Sequence, residues 1–101
     1  MITPKQRSKI VKWMEAEAES FAIKTFSLVV VSAFQYYKPG SLKEHLDHIR
    51  ELISSIEEGA DSSTSGAVWV GIEKFEDNEW YPCMGIRYGL TNFKIKCDLD
   101  G

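Results

Sequence analysis

The stretch "SFAIKTFSLVVVSAFQYY", residues 20–37, decides how this chain folds. It carries one charge, Lys24, in a chain whose net charge is −3. Two readings compete for it. The β-branched run Val29, Val30, Val31 favours a buried strand. The absence of Gly, Pro or Asn between Phe21 and Lys38 favours continuation of the helix before it. Upstream, Ile10, Val11, Met14, Ala18 and Phe21 form an apolar stripe at helical spacing, and Lys5, Lys9, Lys12, Glu15 and Glu19 occupy the other face. After Phe21 the polar face disappears, because Ile23, Phe26, Val30 and Phe34 stand where charges would continue. The expectation is a helix over 4–37, either buried all round in its second half or broken near Ser20. The alternative is a strand over 22–34. From Thr25 to Tyr37 such a helix would span about 20 Å, short of the roughly 30 Å of a bilayer core. No membrane span is expected.

Two helix starts flank this stretch. In "TPKQ", Thr3 can cap, Pro4 fits the first helical position and Gln6 completes a capping box. In "SLKE", Ser41 is the cap and Glu44 reaches back. The second helix, 42–58, places Leu42, Leu46, Ile49, Leu52, Ile53 and Ile56 on one stripe, and Gly59 is its stop. "ADSSTSG", residues 60–66, then reads as a flexible connector.

Beyond Gly66 the pattern alternates. Three runs, at about 67–75, 80–88 and 93–99, read as an antiparallel meander with turns at "EDNE" and "GLTN". Pairing Tyr88 with Phe93 brings Ile86 to Ile95 and Met84 to Cys97. The first run agrees if Val70 opposes Ile86, which needs an odd-length loop such as Asp77-Asn78-Glu79 or a bulge near Pro82. The core face is then Val68, Val70, Ile72, Met84, Ile86, Tyr88, Phe93, Ile95 and Cys97. The architecture expected is one α+β domain over 1–101, a two-layer sandwich with the N-terminal helices packed on the C-terminal sheet.

The outer sheet face follows from the same register. Trp69, Arg87 and Lys94 form one row, and Gly71, Gly85 and Lys96 the next. Glu73, Cys83 and Asp98 form the third. Adjacent glycines would leave a shallow floor for another backbone or a flat group. Trp69 beside Arg87, Lys94 and Lys96 is a candidate partner-binding patch, with Trp80 and Tyr81 as aromatic extensions. The acidic helix face of Glu44, Asp47, Glu51 and Glu58 is a second candidate, suited to masking a basic site. Cys83 and Cys97 fall on opposite faces, which disfavours a disulfide, and Cys83 should be half exposed between carboxylates. His45 reads as a boundary residue and His48 as a partner for Glu44. No catalytic residue, metal site or cofactor is expected.

Two features point to assembly. A helix over 4–37 would overhang the shorter second helix. Lys5, Arg7 and Lys9 at one helix start, and Glu57 and Glu58 at another helix end, also oppose the helix dipoles unless one end meets the other. Both suggest a homodimer through residues 10–37. With an N-terminus lacking an apolar core after its basic residues, and two cysteines expected to be reduced thiols, a cytoplasmic location is expected. The function expected is non-catalytic: a small binding module that occludes or adapts a macromolecular partner, of the inhibitor, immunity-protein or phage-encoded host-antagonist type. The alternatives are a nucleic-acid or nucleotide binder using the outer sheet, and a structural homodimer.

Overall fold

The computed structural model describes residues 2–31, 38–88 and 91–96. Helices α1 (Pro4–Val30) and α2 (Leu42–Glu57) precede strands β1 (Ser62–Ser65), β2 (Val68–Lys74), β3 (Trp80–Tyr88) and β4 (Thr91–Lys96). The strands form one antiparallel sheet in the order β1-β2-β3-β4. The helices pack on that sheet, an α+β arrangement. Among the described residues no helix is long and apolar enough to cross a membrane.

The ambiguous stretch is helical as far as Val30, so the strand over 22–34 does not form there. Residues 32–37 lie outside the described residues. Thr3 and Gln6 exchange both hydrogen bonds of the capping box, at 3.1 and 2.9 Å. Once started, the helix meets no breaker, and its apolar stripe runs on through Phe21, Ala22, Thr25 and Val29, all buried. The expected all-round burial is corrected: Ile23 is 59% exposed and Val31 74%. One side of the stretch reaches the core, which also receives Ile49, Ile53 and Ile56 of α2 with Val68, Val70, Met84 and Ile86 of the sheet.

Helix α2 starts on Ser41, whose Oγ accepts from the Glu44 N–H at 3.1 Å. Glu44 reaches one residue further back than expected, accepting from the Gly40 N–H at 2.7 Å. The end of α2 is a Schellman turn. Ala60 N–H donates to Ser55 O and Gly59 N–H to Ile56 O. Gly59 takes φ +124°, a conformation few L-residues adopt.

Two sheet expectations are corrected. The stretch read as a flexible connector contains β1, joined to β2 across Gly66, which has φ 61°. "SSTS" lacks the apolar alternation that signals a strand, yet its backbone pairs from Ser62↔Gly71 to Ser65↔Val68. A side chain at Gly71 would sit 3.3 Å from the Ser62 Cβ, so the glycine that promised a close backbone approach receives this chain's own β1.

The meander register is also shifted by two residues at each hairpin, and the β3–β4 hairpin is tighter, with Tyr88 paired to Thr91. Ile86 pairs with Val68 and Phe93, and Met84 with Val70 and Ile95. The tighter β3–β4 turn lengthens that ladder, and a two-residue slip leaves every side chain on its own face. Hence Val68, Val70, Met84 and Ile86 are buried on the helix side as expected. The β2–β3 loop is odd in length, with Phe75 N–H donating to Glu79 O at 3.0 Å. Asn78 takes φ 69° within it, a conformation asparagine tolerates. Cys97, Asp98 and Leu99 fall outside the described residues.

Candidate functional site

The N-terminus of α1 meets the C-terminus of α2. Arg7 donates to Ile56 O at 2.9 Å, to Ala60 O at 2.6 Å and to Asp61 Oδ1 at 2.8 Å. The carbonyls that end α2 are thus met by a guanidinium whose side chain is 19% exposed. Of the charges expected to meet an opposing helix end across a dimer, Arg7 meets the end of α2 inside one chain.

Beside this junction lies a cleft of about 360 Å³, lined by Ile2, Gln6, Arg7, Ile10, Gly59, Asp61, Ile72, Glu79 and Trp80. Ile2, Ile10 and Ile72 supply apolar lining, Gln6, Asp61 and Glu79 polar groups, and Trp80 an indole that is 58% exposed. Trp80 pairs with Lys74 in the even-numbered register of Ile72–Pro82 and Val70–Met84, the face that meets the helices. It therefore does not extend the Trp69 patch, which belongs to the other face. Tyr81 does share that outer face. Its ring meets Phe75 edge-on at 5.4 Å, and its hydroxyl donates to Asp77 Oδ2.

The outer-face rows differ from those expected. Trp69 pairs with Gly85, which pairs with Lys94, and Gly71 pairs with Cys83, which pairs with Lys96. Arg87 lies one step along, opposite Asn92, and is exposed. Trp69 is half-buried, while Gly71, Cys83 and Gly85 are buried. The two glycines are diagonal rather than adjacent, and the shallow floor they promised is closed. Cys83 is buried instead of half-exposed, and its Sγ lies 3.8 Å from Tyr81 O.

The acidic helix face is mixed in charge. Glu44, Asp47, Glu51 and Glu58 are all exposed. Glu44 holds Gly40, and Asp47 pairs with Lys43 at 2.8 Å. Glu58 is the C-cap of α2.

Sequence reasoning missed one buried polar contact. His45 is fully buried rather than at the boundary, and its Nε2 lies 2.8 Å from Thr25 Oγ1. Thr25 gives its own proton to Phe21 O at 2.8 Å, so the imidazole must donate to it. Desolvation, with help from the charge of His48, pulls His45 down to about 4. The signal was present: Thr25 and His45 each interrupt an otherwise apolar stripe at a core position. His48 Nε2 approaches Ser65 O of β1 at 3.4 Å. Among the described residues no three His, Cys, Asp or Glu side chains gather as metal ligands.

No family model matches the chain, and no curated protein or solved structure matches it either.

Proposed function

We propose that this chain is a non-catalytic protein-binding module that occludes or adapts a macromolecular partner, as inhibitors, immunity proteins and host antagonists do. The observation that carries the reading is Trp80: a large aromatic side chain, more than half exposed, at the rim of an apolar-lined cleft. Burying apolar area from such an indole on docking is worth several times a rim polar contact, and tryptophan is among the commonest interface anchors. At about 360 Å³ the cleft lies at the small end of ligand sites and has room for one or two inserted side chains. A second reading, self-association through α1, is favoured by exposed Ile23, Val30 and Val31.

The test is capture of partners from the native host's lysate, with and without nuclease, using the wild-type chain and Trp80→Ala and Trp69→Ala variants as bait. The expected result is a stoichiometric protein that survives nuclease, stays with Trp69→Ala and binds Trp80→Ala at least about fivefold more weakly. Equal retention by Trp80→Ala would end the cleft reading. Loss of all capture on nuclease treatment would move the function to nucleic acid and the outer sheet. Recovery of the bait alone would leave the structural homodimer.

A further inference from the structure

Strand β1 is an edge of the sheet among the described residues. Its backbone groups alternate in direction. Val68, Val70 and Ile72 turn their N–H and C=O groups toward β1, because Ala67 and Phe75, at odd positions, bond toward β3. Ile72 N–H donates to Asp61 O accordingly. Asp61, Ser63 and Ser65 therefore bond inward, and the backbone groups of Ser62 and Thr64 point away from the sheet. Both residues are exposed. Natural edges are blunted by lysine, proline or a bulge, and "SSTS" has none of these.

The helix above this edge supplies a charge. His48 reaches Ser65 O, which fixes the side of α2 that overhangs β1. Next round the helix on that side, away from α1, come Glu44, Glu51 and Glu58 in one heptad-spaced line, all exposed. The nearby cations, Lys43 and Arg50, lie about a quarter turn further round.

We propose that β1 accepts an extended, basic segment of a partner protein as a fifth strand. Ser62 and Thr64 supply the main-chain ladder, and Glu51 and Glu58 receive Lys or Arg at alternate positions of the segment. A second copy fits less well. A two-fold pairing of β1 with itself would bring both acidic lines to the same side of the junction, where like charges repel. The inference rests on the chain being a protein binder, and not on the Trp80 cleft.

A displayed library of random short peptides, selected against the full isotope-labelled chain, tests it. The expected peptides carry Lys or Arg at every second position, and the best of them shifts and protects the Ser62 and Thr64 amides. Thr64→Pro removes one outward N–H at an edge position where proline is tolerated, and should weaken that peptide at least about tenfold. Glu51→Lys, on the exposed side of α2, should weaken it about fivefold and keeps the test alive if the proline variant misfolds. Trp80→Ala should leave the peptide's affinity unchanged, which separates this edge from the cleft. Failure to select any peptide, selection without the basic alternation, or equal binding to Thr64→Pro and Glu51→Lys would overturn the proposal. A dimer of the wild-type chain that Thr64→Pro converts to monomer in sedimentation would assign the edge to a second copy instead.

Discussion

The two helices are fastened by a polar contact toward each end of α1, and the contacts obey opposite electrostatics. At the N-terminal end, Arg7 keeps its charge and spends it on the carbonyls of Ile56 and Ala60 and on Asp61. Toward the other end, His45 gives up its charge and meets Thr25 as a neutral donor. The difference is depth. Arg7 stays in touch with solvent and finds fixed acceptors, which the end of any helix provides. His45 is fully buried beside the Phe26 ring, where an ion would lose most of its hydration. One interface can thus use a cation and a neutralised base for the same task, and burial decides which.

Three experiments can break or sharpen this contrast. The largest effect is expected between the two fastenings. Phe21 is fully buried, and Phe21→Ala should cost about 3–5 kcal/mol in urea denaturation. A loss below that of Arg7→Ala would mean that the polar ends, not the apolar middle, hold the pair. Smaller than that, Arg7→Ala removes the side-chain donor to Ile56 O and Ala60 O and should cost about 2 kcal/mol, with Arg7→Lys restoring part of it. That loss should be the same from pH 5 to 8, roughly the range in which an arginine cannot titrate. If Lys substitutes fully, the forked guanidinium geometry is irrelevant and a point charge suffices.

The third effect is the one that pH reveals. His45 titrates near its ordinary 6.5 in the unfolded chain and at about 4 in the folded one. Between these values the unfolded chain binds more protons, so stability should fall as pH drops from 6.5 to 4 and this contribution should level off below 4. With the pKa moved from 6.5 to about 4, the full loss is about 3 kcal/mol. His45→Leu should flatten the profile in that window relative to wild type, measured by urea denaturation across pH. An unchanged slope would show that the imidazole is charged inside, or that it is exposed in solution.

What was legible in the sequence followed from periodicity and chain-terminal chemistry. The Thr3 box, the Gly59 stop and the alternation in β2 and β3 are local signals, and each describes its own element correctly. The helix-versus-strand question at residues 22–30 was resolved by the absence of a breaker after Ala18 and Phe21, against the propensity of three valines. What stayed hidden depends on a partner distant in sequence. β1 is a strand because Gly71 admits it, and "SSTS" alone carries no such sign. Trp80 and Trp69 were grouped by type, although the parity of their positions separates them onto two faces. The spacing puts His45 at the edge of the apolar stripe, and the threonine that draws it inside lies on the other helix.

Asp61 joins what the two layers do. Its carboxylate receives Arg7 of α1, and its carbonyl receives the Ile72 N–H of β2. A chain of this shape could in principle come apart as a helical pair leaving a meander behind. Here the residue that hands the chain from one layer to the other is engaged by both, at the margin of the core rather than within it. Opening the sheet at that corner slackens the first helix turn, and freeing the helix end loosens the edge strand. Amide exchange at Ile72 should therefore quicken in Arg7→Ala, so that it reports on the helix junction as well as on its own strand.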